Sequence, residues 1–421
     1  MARAGVKLGF LRNQGSRIVA NASLVFGAAV VLKVMDLVLI IMASRFVAFE
    51  AVGLAFLAES MANVVFALGD FGMRTVLTRR AARGQLDRAT FARVLGLRGG
   101  VVTACLAAVV VAVFALAPEW AVPLAGFLLA WALFHVHDVG RAVLIGQERF
   151  ALNAGLGIGA RLVGTCVAIV AMTLGAGVLG WAAGKVAAEA LHLCLVGWFS
   201  WRRLPRAVEP LARSVVREGI PFWSRHTVDV LNGHLEVLLV TFYLGLEGAA
   251  FFGLAGRILG GGLLVVGSIS SVAFPDLARR QAEPIRWRQV WVIGLLALGM
   301  AVAIATIGPW VVGWLFAEWT ASGDLTLRVL AVALLFITLY QPTAVWLEAH
   351  DREVRVLLVN LIALPISVVA LVLLVPIFGA AGAAAAVGVR TLVQACGAIG
   401  QAGSLSRRLD RAGGNVAEAG R

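Results

Sequence analysis

Charged side chains occur inside several long apolar runs of this sequence, and one run carries four polar residues at helical spacing. Arg225, Asp229, Asn232 and Glu236 recur at i, i+4, i+7 and i+11, so a helix would place all four along one stripe. An ionised group in hydrocarbon costs roughly 2.5 to 3.5 kcal/mol and is retained when it faces water or a partner. The stripe therefore predicts one wet or paired helix face.

Other apolar runs carry comparable sets of polar residues: Lys185, Glu189 and His192; Lys33 and Asp36; His135, His137, Asp138 and Arg141. Each pair at i, i+4, such as Lys185 with Glu189, has two interpretations. Either the two side chains neutralise each other and join helices, or they line a water-filled cavity. The pairs alone do not separate these interpretations.

Three arginines inside apolar runs, Arg161, Arg257 and Arg390, have no acidic residue at helical spacing in their own run. Over all such runs, eight basic residues stand against six acidic ones, which are Asp36, Glu59, Asp138, Glu189, Asp229 and Glu236. Guanidinium binds phosphate bidentately and stays charged when desolvated. A net basic interior therefore suits an anionic substrate.

The carboxylates inside these runs are candidates for coupling to H⁺ or Na⁺, in the order Asp229, Glu236, Asp36 and Glu189. A carboxylate in a low-dielectric cavity can take up and release a proton or bind sodium. A permanent salt bridge is the competing interpretation, above all for Asp229. Because His135 and His137 are two residues apart, a helix points them to different faces, and we expect no metal site. No organic cofactor is indicated.

The composition defines the elements that must position these residues. Of 421 residues, 61% are hydrophobic and only 14% are charged, whereas soluble domains carry about 25% charged residues. The mean hydropathy is +0.92, and the apolar runs repeatedly reach the ~20 residues that cross a bilayer as a helix. These runs are apolar on all faces, which disfavours a β-barrel. We predict an all-α polytopic membrane protein.

Apolar runs between charged breaks predict twelve spans in two sets of six. The first set covers about 18–44, 52–73, 96–117, 121–145, 153–174 and 178–200, and the second covers about 219–245, 248–276, 290–314, 325–348, 357–376 and 380–404. The predicted domains are an N-terminal segment 1–17, an N-lobe 18–200, a basic linker 201–218, a C-lobe 219–404 and a disordered tail 405–421.

Basic residues are distributed unequally between alternate loops. One set of segments, which includes both termini, holds 26 Lys and Arg residues, whereas the opposite loops hold Arg45 alone. Positive charge marks the cytoplasmic side, so both termini are predicted to be cytoplasmic. Fixing the topology and contacting anionic membrane lipid are enough to explain these basic loops. Nucleic-acid binding is not indicated.

An internal repeat supports two lobes. A shift of 200 residues aligns "DLVLI" (36–40) with "EVLLV" (236–240) and Arg79-Arg80 with Arg279-Arg280. A shift of 202 aligns Gly177 and Gly180 with Gly379 and Gly382. Two halves of six spans begin on the same membrane side and are parallel repeats, an arrangement typical of transporters.

Enzyme signatures are missing from the sequence. The four cysteines form no C-x-x-C pair, and there is neither a Walker A motif nor H-E-x-x-H. No hydrophilic segment is long enough for a catalytic domain. We therefore predict that the protein is not an enzyme.

Several motifs together resemble the polysaccharide flippases of the multidrug/oligosaccharidyl-lipid/polysaccharide exporter (MOP) superfamily. They are "GDFGMRTVLTRRAA" (69–82), "LIGQERF" (144–150), "REGIPFW" (217–223), "GAAFFGLAGRI" (248–258) and "SVAFPDLARRQ" (271–281). The resemblance covers about 18–404 and rests on the order and spacing of the motifs.

The resemblance implies a V-shaped bundle of two parallel six-helix lobes. Such a protein moves an undecaprenyl-diphosphate-linked oligosaccharide, a repeat unit of O-antigen or exopolysaccharide, across the bacterial cytoplasmic (inner) membrane by alternating access. Its cationic cavity would correspond to Arg141, Arg161, Arg225, Arg257, Arg390, Lys33 and Lys185 by their placement within spans. A polysaccharide polymerase and glycosyltransferases are the implied protein partners.

Other transporters of the superfamily are alternatives. Lipid II flippases typically have fourteen spans, and this chain has room for about twelve. Multidrug and toxin extruders (MATE proteins) have twelve, but their substrates are mostly organic cations, which a net basic interior would repel. A non-transporting scaffold for glycosyltransferases or a polymerase is a further alternative, although a polymerase would be expected to carry a large external loop.

Overall fold

The computed structural model describes residues 2–206, 212–279, 287–350 and 352–419. Side chains are described for 23–206, 215–220, 222–264, 287–288, 290–348, 350 and 352–407. All regular structure in these residues is helical, which agrees with the all-α prediction. The predicted linker and tail fall partly outside, at 207–211 and 420–421.

The helices divide the chain into two compact units, Met1–Val230 and Leu231–Arg421. The first unit contains α1 (Ala2–Ala43), α2 (Phe49–Leu68), α3 (Met73–Ala82), α4 (Arg88–Leu116), α5 (Pro118–Gly146), α6 (Phe150–Ala171), a π-helical turn (Met172–Ala176) and α7 (Gly177–Arg203). Helix α8 (Ala212–Arg279) crosses the boundary, and α9 (Trp287–Thr306), α10 (Gly308–Leu315), α11 (Ala321–Ala349) and α12 (Glu353–Ala419) complete the second unit.

The domain limits differ from the predicted ones in detail. The division after Val230 groups the first residues of predicted span 7 with the first unit. Helix α1 already begins at Ala2, within the predicted N-terminal segment. The backbone of the predicted disordered tail is helical as far as Ala419, which fits its content of strong helix formers such as Ala, Leu, Arg and Glu.

Local signals in the sequence account for several helix ends. The side chain of Asp87 caps α4 by accepting a hydrogen bond from the Thr90 backbone N–H at 2.8 Å, which satisfies one free N–H of the first turn. Pro118 occupies the first turn of α5, where its missing N–H is tolerated. These caps fix where α4 and α5 begin.

Equivalent breaks interrupt the helices at the repeat positions. Gly177 (φ 52°, ψ −132°) lies where the π-helical turn meets α7, and Gly379 (φ 62°, ψ −141°) interrupts α12. These conformations suit glycine because it has no Cβ. The two positions are 202 residues apart, as in the sequence repeat. Gly245, with φ 69°, similarly interrupts α8, 200 residues after the break that holds Arg45.

Eight helices of the described residues are long and apolar enough to cross a membrane, and the pair Val290–Thr306 and Gly308–Leu315, bent by 46°, would be a ninth. The structure therefore gives eight or nine candidate spans where the sequence predicts twelve. The difference arises because three helical runs, 54, 43 and 55 residues long, continue through breaks at Gly177, Gly245 and Gly379, where the sequence count begins a new span.

Candidate functional site

A network of four charged side chains joins α1, α6 and α7 in the first unit. The guanidinium of Arg161 lies 3.5 Å from Asp36 Oδ1 and 3.1 Å from Glu189 Oε1. Lys185 Nζ lies 3.7 Å from Asp36 Oδ1. Arg161, which has no acid at helical spacing in its own run, thus finds two on neighbouring helices. The two cations and two carboxylates carry no net formal charge.

Two histidines extend this network on the side of Glu189. His137 Nε2, on α5, lies 2.8 Å from Glu189 Oε2, and the ring of His137 lies against that of His192 with 4.2 Å between centroids. One ligand atom from each of His137, Glu189 and His192 lies within 4.8 Å of the others. His137 and Glu189 are buried and His192 is nearly so. Because the three ligand atoms lie so close together, these residues could hold a metal ion.

A second charged group lies along α5. Asp138 is 3.4 Å from both Arg141 Nη1 and Arg74 Nε. The other face of α5 places His135 Nδ1 3.2 Å from Arg98 Nη2, and Arg98 is also 3.2 Å from Asp70. His135 and His137 thus contact different helices, α4 and α7.

A cavity of about 190 Å³ lies inside the first unit between α1, α5, α6 and α7. Its polar lining consists of Arg141, Asn153, Arg161, Glu189 and His192. Apolar side chains complete the wall, among them Val25, Leu32, Phe134 and Phe150. The cavity thus combines two guanidinium groups with an apolar surface, which suits an amphiphilic anion.

Several polar atoms at this cavity lack a hydrogen-bond partner among the described residues. They are Arg141 Nε, Asn153 Oδ1 and His192 Nε2, and each atom is buried. A buried polar atom without a partner is unfavourable by about 1–3 kcal/mol. These atoms are therefore available to a ligand or to water.

The predicted stripe on span 7 is divided between the two units. Arg225 Nε and Asp229 Oδ2 form a 3.7 Å pair in the first unit, and their side chains are 31% and 44% exposed. Asn232 and Glu236 are buried in the second unit. The predicted wet or paired face is therefore partly exposed at Arg225 and Asp229 and buried at Asn232 and Glu236.

In the second unit, Glu236 and Arg390 form a buried ion pair with 2.8 Å between Oε1 and Nη2. A separate polar group in this unit centres on Asn360, whose Oδ1 accepts hydrogen bonds from Tyr340 Oη and Gln394 Nε2, both at 2.9 Å. Asn232 Nδ2 donates to the backbone oxygen of Asn360 at 3.3 Å. This amide network joins α8, α11 and α12.

The structure brings together only part of the predicted cationic set. Arg161 and Lys185 share one network, and Arg141 borders the same cavity as Arg161. Lys33 and Arg257 are half-buried, and each has an interaction partner. That all seven cations line one cavity remains a prediction.

Sequence reasoning missed the association of His137 with α7. A signal was present, because Glu189 and His192 form a Glu-x-x-His pattern, which projects both side chains from one helix face and occurs at metal sites of helical bundles. The roles of Asn360, Tyr340 and Gln394 had no comparable signal, since single polar residues in apolar runs do not reveal their neighbours.

The polysaccharide biosynthesis protein family matches residues 41–324, about two thirds of the chain. The chain belongs to this family. The resemblance seen in the sequence motifs is thereby confirmed at the level of the family and its fold. No curated protein matches the sequence.

Solved structures of MOP superfamily transporters share the fold. An outward-facing MATE multidrug transporter matches with a TM-score of 0.66 at 17% identity, covering 94% of this chain and 97% of the other. An inward-facing MATE transporter matches with a TM-score of 0.64 at 16% identity, covering 94% and 99%. A transporter from Pyrococcus furiosus, described as having a binding pocket of reverse polarity that suggests a different function, matches with a TM-score of 0.64 at 17% identity, covering 94% and 96%.

These likenesses establish a MATE-like, all-α, multi-span integral membrane protein. Together with the family, they confirm the prediction of a protein of the transporter fold that is not an enzyme. Identities below one fifth carry no information on substrate, which must be argued from the residues of this chain.

Proposed function

We propose that the protein is a flippase that moves an undecaprenyl-diphosphate-linked oligosaccharide across the bacterial cytoplasmic membrane. The family places the chain in polysaccharide biosynthesis, and its fold is that of MOP transporters. In that setting, the cargo that needs a membrane carrier is a glycan on a lipid. The diphosphate would be the charged group that the protein has to bind within the membrane.

The observation that carries the proposal is the cavity of the first unit, with Arg141 and Arg161 on its polar side. Guanidinium groups bind phosphate oxygens through two parallel N–H donors. The α1 wall is apolar and includes Val25, which is 46% exposed. A polyprenyl chain can therefore remain in lipid beside a headgroup that enters the cavity.

The carboxylates beside these arginines leave room for a phosphate. Arg141 lies 3.4 Å from Asp138, and Arg161 lies 3.5 Å from Asp36 and 3.1 Å from Glu189, whereas strong charge-assisted N–H···O bonds measure about 2.7–2.9 Å. A guanidinium has five N–H donors, and Arg141 Nε has no partner among the described residues. The diphosphate would bind these unused donors and compete with the carboxylates.

The acidic partners are our candidates for ion coupling. When a diphosphate engages Arg161, Asp36 and Glu189 lose part of their counter-charge, and uptake of H⁺ or Na⁺ would restore it. Glu236 and Asp229 are the corresponding candidates in the other half of the sequence. Uptake and release would accompany alternating access, in which the headgroup site opens first to one side of the membrane and then to the other.

We propose twelve crossings and two parallel halves. Three described spans are 54, 43 and 55 residues long, about twice the ~20 residues that a crossing requires. Each contains one of the broken positions Gly177, Gly245 and Gly379. Counting each as two crossings, and the bent pair as one, gives twelve, with both termini in the cytoplasm. A polymerase and glycosyltransferases would act before and after this step.

The proposal is tested in cells that depend on this protein for polysaccharide export. Arg141→Ala and Arg161→Ala should abolish export and cause lipid-linked repeat units to accumulate at the cytoplasmic leaflet, with the protein still in the membrane. Arg93→Ala, at an exposed position of α4, is the matched control and should export normally. Normal export by the double variant Arg141→Ala/Arg161→Ala would contradict the assignment.

A further inference from the structure

A cluster of three potential metal ligands lies on α5 and α7 of the first unit. His137, Glu189 and His192 each offer one ligand atom within 4.8 Å of the other two. Their residues are 1%, 5% and 9% exposed. Buried polar groups at such depth require partners. His137 and Glu189 contact each other, whereas His192 Nε2 has no hydrogen-bond partner among the described residues; a shared metal ion would bind all three.

We propose that His137, Glu189 and His192 bind a divalent transition-metal ion of the Zn²⁺ class. Two imidazoles and one carboxylate favour Zn²⁺ and its neighbours over Mg²⁺ or Ca²⁺, which prefer oxygen ligands. Zinc sites with three protein ligands and a fourth position left to water are known from proteins in which the metal stays accessible to small molecules. The proposal departs from the expectation of no metal site that the spacing of His135 and His137 suggests.

The two ends of the Glu189 carboxylate have separate partners. Oε1 lies 3.1 Å from Arg161 Nη2, and Oε2 lies 2.8 Å from His137 Nε2. A metal ion would take the place of the proton between Oε2 and Nε2, while Arg161 would keep Oε1 and orient the carboxylate. Such an outer hydrogen bond to a ligating carboxylate is usual in metal sites.

Neither imidazole is fixed by a second hydrogen bond. His137 Nδ1 and His192 Nε2 are buried and have no hydrogen-bond partner within the described part of the chain. Each ring can therefore adopt the tautomer that presents a lone pair to the ion. Tetrahedral zinc holds its ligand atoms roughly 3.4 Å apart. The ligand atoms here lie within 4.8 Å of one another, so side-chain rotations that move them by about an ångström would bring them to that spacing.

Charge and access also permit an ion here. Asp36 and Glu189 offset Arg161 and Lys185, and Arg141 is paired with Asp138, so each of these cations beside the site has an acidic partner. Glu189 and His192 both line the cavity of the first unit. The open fourth position of the metal would therefore face the cavity, through which the ion can enter and exchange.

The site is tested by metal binding to the purified full-length protein, which needs no transport substrate. The protein carries an affinity tag other than polyhistidine and is kept in detergent without chelator. Titration with Co²⁺, followed by its visible absorption, reports tetrahedral coordination, and calorimetry with Zn²⁺ reports stoichiometry. We expect one ion per chain.

Variants distinguish this site from binding elsewhere. His192→Gln and His137→Gln should weaken Zn²⁺ binding by at least the roughly 10- to 100-fold typical of losing even an outer-shell partner. His350→Gln is the matched control, since it removes an imidazole from the second unit, where Nδ1 of His350 contacts the backbone oxygen of Trp346. It should bind one ion with unchanged affinity.

The outcomes are decisive in either direction. No stoichiometric binding by the unmodified protein, or equal binding by His192→Gln and His350→Gln, overturns the proposal. Size-exclusion chromatography shows whether His137→Gln folds. If it does not, His192→Gln alone tests the site, because the ring of His192 borders the cavity and its replacement should disturb the packing less. Because binding is measured without a lipid-linked glycan, the metal site can fail while the proposed transport function stands, and the reverse also holds.

Discussion

The guanidinium of Arg390 lies 2.8 Å from the carboxylate of Glu236 and joins α12 to α8 in the second unit. Asp36, 200 residues before Glu236, likewise pairs with Lys185 near the end of its own unit. Each half thus holds an acid of its first helix against a base of its last. The two acids lie 200 residues apart but the two bases lie 205 apart, so only the acids occupy equivalent positions of the sequence repeat.

Removing the acid of the buried pair should strongly destabilise the protein. Glu236→Gln leaves Arg390 buried without its counter-charge, which costs about 3–5 kcal/mol. Asp229→Asn is the control, because the Arg225–Asp229 pair is 3.7 Å long and its side chains are 31% and 44% exposed. Such a pair contributes at most about 1 kcal/mol. Thermal unfolding in detergent compares the two; equal shifts would show that the 2.8 Å pair is not buried as described.

A double variant separates the structural role of the Glu236–Arg390 pair from a role in transport. Glu236→Gln/Arg390→Gln removes both charges and should recover most of the stability lost in Glu236→Gln. If Glu236 couples transport to H⁺ or Na⁺, or if Arg390 binds the headgroup, export remains absent in this stable double variant. Export at the normal rate would instead leave both residues with a purely structural role.

Replacing Arg161 by lysine should impair export although the charge is kept. A lysine ammonium is a point charge and cannot engage Asp36, Glu189 and a phosphate with the planar fork of arginine. Losing one charge-assisted contact, about 1.5–3 kcal/mol, corresponds to a fall in transport of about tenfold or more. Export is measured against protein amount in the membrane, and a rate equal to that of the unmodified protein would exclude bidentate phosphate binding at Arg161.

Close packing of α6 on α7 should not tolerate a side chain at Gly184. A Cβ there would meet the backbone oxygen of Gly164 at 2.5 Å and would also contact Ala168. Gly184→Val should therefore destabilise the protein by about 1–3 kcal/mol or more. Gly197, on the same helix, has nothing within 4 Å of its Cβ position, so Gly197→Ala should be neutral or stabilising by up to ~1 kcal/mol. A lower unfolding temperature for Gly197→Ala than for Gly184→Val would contradict the packing.

The proposed orientation predicts which cysteines are labelled from outside the cell. In a chain without its four native cysteines, Arg45→Cys should react with an impermeant maleimide added to intact cells. Arg83→Cys should react only after the membrane is opened, because it lies on the strongly basic side. Both positions are exposed. The opposite labelling pattern would invert the topology and place the termini outside.

The helical membrane fold and the family could be predicted from sequence, because hydropathy and motif order depend on the chain alone. Charged positions such as Asp36, Arg161 and Glu189 could also be found, since their presence in apolar runs is unusual. The ion-pair partners of these residues could not be predicted. Arg161 and Arg390 pair across helices, and such pairing depends on how each helix is rotated against its neighbours.

The histidines show the same limit. The spacing of His135 and His137 predicts different faces, and the structure places them against Arg98 and Glu189 respectively. That spacing argues against a metal ion shared by His135 and His137, but it does not reveal ligands that another helix can supply. The approach of α7 to α5 is a tertiary property, and only it brings His192 to His137.

Transport itself can be measured by following a lipid-linked glycan in proteoliposomes that contain only this protein. Undecaprenyl-diphosphate carrying a short fluorescent oligosaccharide is placed in one leaflet, and its appearance in the other is measured with an impermeant quencher. We expect transfer by the unmodified protein and by Arg93→Ala. Transfer should be lost when five arginines are all replaced by alanine: Arg141, Arg161, Arg225, Arg257 and Arg390. Transfer at an undiminished rate by a folded five-alanine variant would contradict the proposed function.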